Sequence, residues 1–302
     1  MSAELHAYVL LVLVGFLPNE IWRMLGLVVA RGIDEDSELF MWARAVATAV
    51  LAGVIAKIIL FPPGTLASVP LVIRLAAIVC GFAEYKKQPV CVAGHQKGSD
   101  TKQKIFRNFG YARPEGYRKA LRVMQLSEKF KRPIVVFIDT PAAYPGVESE
   151  ERGVAEAIAL NLREMMMLEV PIVIIVCGEG GSGGALGIAI GDRVLMHENA
   201  IYSVIPPEGC AAILWRDANR KVEAAEALKI TAPDLLQLGI IDEIVSEPVG
   251  GAHQNPAQAA ALLDVALDRA LSQESATDVE ARLESRYQKF RAMGQIGIES
   301  PA

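Results

Sequence analysis

The sequence predicts an α/β fold over residues 84–302, preceded by an apolar all-helical segment over residues 1–83, and three observations carry that reading. Two runs of branched aliphatics, residues 134–138 (IVVFI) and 171–177 (PIVIIVC), are continuous rather than alternating, as in strands of a parallel sheet covered on both faces. Each run leads into a loop rich in glycine or proline and then into a helical pattern, so two strand–loop–helix units place their loops side by side at one edge of a core. The mean hydropathy of +0.30 is high for a soluble enzyme, and the excess sits in the first 83 residues.

The 302 residues suffice for one large or two ordinary domains. A net charge of -5 argues against a general nucleic-acid binder, whose footprint is basic, so no nucleic-acid partner is expected. Four cysteines, Cys80, Cys91, Cys177 and Cys210, lack the paired spacing of a zinc site or the density of a disulfide framework. No metal is expected.

The front segment contains three apolar blocks, residues 7–30, 41–61 and 66–83. The second reaches the roughly 20 residues that a span needs and carries Arg44 and Lys57 only near its ends. The first is interrupted by Pro18, Asn19, Glu20 and Arg23, and the third contains Arg74. A multispan membrane segment is expected, with three buried helices of a soluble domain as the alternative. Lys86 and Lys87 follow the last block, which by the positive-inside rule leaves the remainder of the chain in the cytoplasm, tethered through residues 7–83. No cleavable signal peptide is predicted.

A basic stretch follows, with Lys86, Lys87, Lys97, Lys102, Lys104, Arg107 and Arg113 around a short strand at residues 89–93. It reads either as a solvated face or as a surface that steers a phosphate-rich ligand or acidic partner. Pro114 opens a helix through Phe130, with Tyr117, Ala120, Leu121 and Met124 at helical spacing. The first buried strand ends in the loop at residues 139–146, and a helix is predicted over 149–168, its acidic start matching the helix dipole. The second buried strand runs into the glycine-dense stretch 178–185, after which residues 185–190 read as a helix. Short strands at 192–194, 200–205 and 240–245 and helices from Pro207, at 221–229, at 232–238 and from Gly251 to about 293 complete the pattern.

Glycines at a strand–helix junction let a backbone approach a ligand closely, and the free N–H groups of the helix start favour negative charge. The stretch GEGGSGGA fits neither the dinucleotide fingerprint nor the P-loop, and a tight packing turn is its plain alternative. Ser182 meets the GxSxG spacing through glycine abundance alone, and nothing in the sequence pairs it with His95, His197 or His253. What remains is a site of backbone N–H donors that stabilise an enolate or similar oxyanion, one donor contributing roughly 3 kcal/mol.

The phrases GHQKGSDTK, RNFG, RPEGYRKALR, FIDTPAAYPG, EERG, IALNLREM, GEGGSGGALGIAIGD, YSVIPPEGCAAILW and EPVGGAH closely resemble the alpha subunit of the carboxyltransferase component of bacterial-type acetyl-CoA carboxylase. The resemblance covers about residues 88–291. It implies a crotonase-like (ClpP/crotonase) fold of repeated ββα units and transfer of a carboxyl group from carboxybiotin, on a biotin carrier protein, to acetyl-CoA. The product would be malonyl-CoA, in the first step of fatty-acid biosynthesis. Implied partners are a beta subunit with its own zinc ribbon, in an α2β2 heterotetramer, together with the biotin carrier protein and the ATP-dependent biotin carboxylase. The resemblance assigns the backbone N–H groups of Gly183 and Gly184 to the biotin ureido oxygen and Ala142 and Ala143 to the second loop of the oxyanion site. By the same resemblance, Gly180, Gly181, Tyr144, Pro145, Gly146, Glu208 and Gly209 are expected to line the substrate. The family has glycine where this chain has Ala142; if that position required positive φ, alanine would cost about 1 kcal/mol.

The front segment, through GFLPNEIWRMLG, ARGIDEDSE, WARAVATA and LFPPG, resembles the small-subunit family of branched-chain amino-acid exporters over about residues 7–82. The family's own N-terminal helical segment is replaced here by this shortened exporter-like piece, as a fusion or a chimera. Two further readings stay open: a membrane transport component with a passenger domain, and a biotin-independent crotonase-type acyl-CoA enzyme.

Overall fold

The structure, a computed structural model, describes residues 78–294. Strands β1 (Ile78–Tyr85) and β2 (Gln88–His95) form an antiparallel hairpin paired along its whole length. Its turn residues Lys86 and Lys87 have φ of 47° and 67°, the left-handed pair that a two-residue hairpin turn of the favoured twist requires. Four parallel strands follow: β3 (Ile134–Thr140), β4 (Ile172–Gly181), β5 (Arg193–His197) and β7 (Glu243–Val245). The order across the sheet is β1-β2-β3-β4-β5-β7, and the short β6 (Ile201–Ser203) pairs in parallel with the far end of β4.

Ten helices accompany these strands among the described residues: α1 (Thr101–Phe106), α2 (Pro114–Lys129), α3 (Val147–Glu151), α4 (Val154–Met167), α5 (Ser182–Leu186), α6 (Pro207–Trp215), α7 (Lys221–Leu228), α8 (Ala232–Gln237), α9 (Pro256–Ala276) and α10 (Val279–Ala292). The continuous aliphatic runs are explained by cover on both faces. Ile134, Val136, Ile138, Ile172, Ile174 and Val176 share one core with Tyr117 and Met124 of α2 and Ala157 and Met165 of α4. Val135, Val173, Ile175 and Leu195 point the other way, onto Ala266, Leu267, Ala270 and Leu271 of α9. Helix α10 is fastened by Arg286, buried in a forked contact with Asp192 at 2.7 and 2.9 Å. The same guanidinium donates to the carbonyls of Met165 and Leu168 at the end of α4, where intrahelical partners run out, and to that of Val170 just beyond it.

Three expectations are corrected. The tail of the third apolar block, residues 78–83, is strand and not helix, because it pairs with β2; within it Ile78 is buried while Val79 and Phe82 are about half exposed. The single helix predicted over 149–168 is two, since Gly153 takes φ 72° between α3 and α4. The helix predicted over 185–190 begins earlier and is one short turn, α5, because β4 continues through Gly178–Gly181 and the chain reverses at Ser182 with φ 52°.

No helix among the described residues is long and apolar enough to cross a membrane. The predicted spans at 7–30 and 41–61, and 66–77 of the third block, lie outside the described residues, as does any tether they form.

Candidate functional site

The two loops foreseen at one edge of the core meet backbone to backbone. A Cβ built on Gly181 would lie 1.8 Å from the Pro141 carbonyl oxygen, and one on Gly184 would lie 2.1 Å from the Ala142 carbonyl carbon and 2.2 Å from the Ala143 nitrogen. No side chain fits at either position, so the glycines are there for close approach. Gly183, between them, has only Ile158 Cδ1 near its would-be Cβ, at 3.7 Å. The packing-turn alternative and the site reading thus describe one junction.

Each half of the junction is tied down from beneath. The Thr140 hydroxyl sits 2.8 Å from the Ala142 carbonyl and 2.9 Å from the Gly110 carbonyl, able to donate to one of them. Tyr144 N–H donates to Ala112 O at 2.9 Å, and Ala143 bridges to Ala112. On the other half, the buried Tyr117 hydroxyl donates to Gly184 O at 3.1 Å, and the buried Asn161 amide donates to Gly187 O at 2.9 Å and Tyr117 O at 3.1 Å. Burial raises the Tyr117 hydroxyl well above its ordinary pKa, so it stays a donor. Ala142 is not among the residues with positive φ, so alanine carries no left-handed strain where the resemblance expects glycine.

Chemically, α5 presents the first-turn N–H groups of Ser182, Gly183 and Gly184, which have no intrahelical acceptor. These donors sit on a turn held by Tyr117 and Asn161, the preorganisation that electrostatic stabilisation of a developing oxyanion requires. At the rim, Arg113 lies over the Tyr144 ring, 4.8 Å from its centroid, and that ring fills the space a Cβ on Gly146 would need. Pro145 is exposed at the loop tip. A Cβ on Gly180 would meet the Tyr202 ring of β6 at 2.7 Å, and β6 pairs with residues 179–181. Through β6 the chain passes from the glycine stretch to α6, where Glu208 faces Lys221 at 3.6 Å and a Cβ on Gly209 would meet Ile205 at 3.1 Å. Gly184 is therefore in direct contact with Ala142 and Ala143, and Gly181 with Pro141, whereas Glu208 and Gly209 follow β6 along the chain.

Sequence reading missed a cluster at the strand ends. Lys97 Nζ lies 3.2 Å from Asp139 Oδ1 and 2.5 Å from Glu179 Oε2, and Asp139 Oδ1 also accepts the Glu179 N–H at 3.1 Å. Lys97 belongs to the basic stretch that reads in the sequence either as a solvated face or as a ligand-steering surface. It is instead paired internally; burial alone would lower its pKa, but the two carboxylates more than offset that and raise it. Lys86 is likewise engaged, with Asp264 and Asp268 of α9 at 3.1 Å each.

Among the described residues no histidine hydrogen-bonds to Ser182 as a base would. Ser182 does sit at a strand–turn–helix elbow, but both ring nitrogens of His95 are buried without a hydrogen-bond partner, His197 Nδ1 faces Glu247 at 3.8 Å, and His253 meets Gln254. Among the described residues no group of three or more His, Cys, Asp or Glu side chains could hold a metal ion.

Comparison with known proteins bears on the same residues. Residues 73–294 match the family described as acetyl co-enzyme A carboxylase carboxyltransferase-like, and residues 8–93 match the branched-chain amino acid transport protein (AzlD) family. The chain is 61% identical over 220 residues to the acetyl-coenzyme A carboxylase carboxyl transferase subunit alpha of Geobacter metallireducens, covering 73% of this chain and 69% of the relative. It is 62% identical over 218 residues to that of Thermosynechococcus vestitus, covering 72% and 67%. Among solved structures, a Pseudomonas malonate decarboxylase hetero-tetramer in complex with coenzyme A shares the fold at TM-score 0.57 and 15% identity, over 72% of this chain and 93% of that one. Transcarboxylase 12S shares it at TM-score 0.56 and 20% identity, over 67% and 37%.

Proposed function

Because the chain belongs to the acetyl co-enzyme A carboxylase carboxyltransferase-like family, we propose that its α/β part is the alpha subunit of a carboxyltransferase that moves a carboxyl group from carboxybiotin to acetyl-CoA, forming malonyl-CoA. The observation that carries the residue-level reading is the junction itself: donors at Gly183 and Gly184, space beside Gly183 alone, and a second loop at Ala142 and Ala143 locked against it.

Carrier-borne carboxybiotin supplies the carboxyl group and, once that group has left, a ureido system able to accept the proton from the acetyl methyl. The chain contributes position and charge stabilisation. The Gly183 and Gly184 N–H groups would hold the ureido oxygen as negative charge grows there, and one such donor would lower the barrier by roughly 3 kcal/mol. The Ala142–Ala143 loop supplies the opposite wall, Tyr144, Pro145 and Gly146 form the rim, Gly181 keeps the strand end close to that loop while Gly180 makes room for Tyr202 of β6, and Glu208 and Gly209 begin the helix at the substrate side. A side-chain general base is not needed in this scheme. The repeated strand–helix units are those of a crotonase-like fold.

An alpha subunit needs a beta partner. Val204, Ile213, Leu214 and Val222, each about two-thirds or more exposed on or beside α6 and α7, form an apolar surface suited to burial in such an assembly. The biotin carrier protein and biotin carboxylase complete the proposed set of partners. The match of residues 8–93 to the transport family supports a second reading, in which that segment tethers the enzyme to a membrane or belongs to a transport component. Full recovery in the soluble fraction without detergent would reject it.

The test of the main reading is co-expression with a carboxyltransferase beta subunit and assay of malonyl-CoA-dependent carboxylation of free biotin, the reverse reaction. Turnover that needs both subunits and biotin is the expected result. An assembled, soluble complex without turnover would sink the proposal, and turnover of an acyl-CoA without biotin would replace it with the biotin-independent alternative.

A further inference from the structure

The cluster of Lys97, Asp139 and Glu179 lies where two of the site's supports are made. Asp139 is the last-but-one residue of β3, three positions before Ala142; Glu179 is in β4, four positions before Gly183. Between these strands the register is interrupted: Ile138 pairs with Val176, but Thr140 pairs with Gly180, so β4 carries two extra residues opposite Asp139. That bulge turns the Glu179 N–H onto Asp139 Oδ1 at 3.1 Å, and a Cβ on Gly178 would stand 2.9 Å from the same oxygen. The carboxylate of Asp139 is thus the pin of the bulge, and the bulge sets the level at which Gly181 and Gly184 meet Pro141 and Ala142.

Two carboxylates beside one strand bulge repel each other, and Lys97 is the cation that reaches both. It arrives from the chain that leaves β2, its stem passing Gly110, where a would-be Cβ would be 3.1 Å from Lys97 Cγ and 3.0 Å from Asp139 O. Gly110 in turn offers its carbonyl to Thr140 at 2.9 Å. One side chain therefore links the ends of β2, β3 and β4. All three charged groups are about a quarter to two-fifths exposed, enough shielding for the pairing to hold geometry and little enough to leave it open at the rim of the site.

We propose that Lys97 is a positioning residue for carboxyl transfer: by bridging Asp139 and Glu179 it holds the β3 and β4 ends in the register that brings the Ala142–Ala143 loop against Gly184, and it offsets two negative charges next to a site where a third develops. The proposal rests on the carboxyltransferase reading above. Lys97 touches neither substrate in this scheme; it acts through the two carboxylates.

The experiment uses the full chain assembled with its beta partner, measuring kcat and KM for malonyl-CoA in biotin carboxylation, with thermal melting of each variant. In Lys97→Met, kcat falls on the order of 10²-fold, the cost of a small misplacement of reacting groups, while KM stays within about threefold. Lys97→Arg keeps both bridges and recovers most of the loss. The double variant Lys97→Met with Glu179→Gln returns the cluster to one net negative charge and recovers about tenfold over Lys97→Met alone. If Lys97→Met does not assemble, Glu179→Gln by itself is read instead: it removes one arm of the bridge and lowers kcat about threefold or more. An unchanged kcat in Lys97→Met, or in Glu179→Gln where Lys97→Met does not assemble, overturns the proposal, as does a loss that neither Lys97→Arg nor the charge-balanced double variant recovers. A wild-type complex without turnover sinks the carboxyltransferase reading and this proposal with it, an outcome separate from an active wild type with indifferent variants.

Discussion

Substituting Gly184 by alanine is the sharpest perturbation of the junction. The new Cβ would stand 2.1 Å from the Ala142 carbonyl carbon and 2.2 Å from the Ala143 nitrogen, where ordinary contact begins near 3.4 Å. The two loops must therefore part by roughly 1 Å, and both partners are backbone, which cannot rotate out of the way as a side-chain end can. Overpacking of this kind costs about 1–3 kcal/mol of stability, and a shift of about 1 Å in groups that position a reaction costs on the order of 10²-fold in rate. Gly183→Ala is the matched control for folding, since its Cβ meets only Ile158 Cδ1 at 3.7 Å. In thermal melts of the complexes, Gly184→Ala should lower Tm while Gly183→Ala leaves it unchanged, and in the biotin carboxylation assay Gly184→Ala should show the large loss in kcat. A Gly184→Ala complex that melts and turns over like the wild type would refute the claim that close backbone approach builds the site.

Three other outcomes are open to measurement. Arg286→Leu leaves Asp192 as a buried charge without its partner, which costs about 3–5 kcal/mol; at about 2–4 °C per kcal/mol for a domain of this size, the melt should fall by roughly 10 °C. Burial, with Lys97 adding to it, pushes the His95 pKa down from 6.5 to about 3. Between those values the unfolded chain takes up a proton that the folded chain refuses, so this contribution to stability is complete above pH 6.5 and is lost as pH falls, at about 1.4 kcal/mol per unit. Urea titrations should therefore show a flatter acid slope for His95→Leu than for the wild type, and parallel curves would contradict the assignment. Ile213→Glu places a charge in the exposed apolar surface of α6 and α7, and gel filtration should show a folded alpha subunit that no longer co-elutes with beta; unaltered co-elution would remove that surface from the interface.

How far the residues disclosed this arrangement depended on the range of the interactions. The buried strands were legible because cover by α2 and α4 on one face and α9 on the other demands unbroken aliphatic runs, and residues 134–138 and 171–177 show them. The glycine stretch announced a close approach but not its partner, since the pairing of Gly184 with Ala142 spans 42 positions and depends on the sheet order. Residues 78–83 misled for the opposite reason: an apolar edge strand in a hairpin has the same composition as the end of an apolar helix, and only its pairing with β2 separates the two. The helix break at Gly153 had a visible glycine, yet glycine alone does not say whether a helix continues. Lys97 was hidden in a run of cations, where position along the chain gives no sign that two carboxylates from other strands converge on it.

These cases bear on what a glycine-dense turn can be taken to mean. Gly181 and Gly184 are fully accounted for by packing, because backbone atoms occupy the space their side chains would need. Packing does not account for Gly183, whose side-chain space is open, and it is the free N–H groups around that opening that can act on a ligand. The division of labour also explains why alanine stands at position 142 without strain. The close approach is provided by Gly184 from the opposite loop, so position 142 needs only a backbone that Gly184 can reach and not a left-handed one. A glycine at one loop therefore relieves the demand for glycine at the other, and the oxyanion site depends on the distance between the two backbones more than on the identity of the residue at 142.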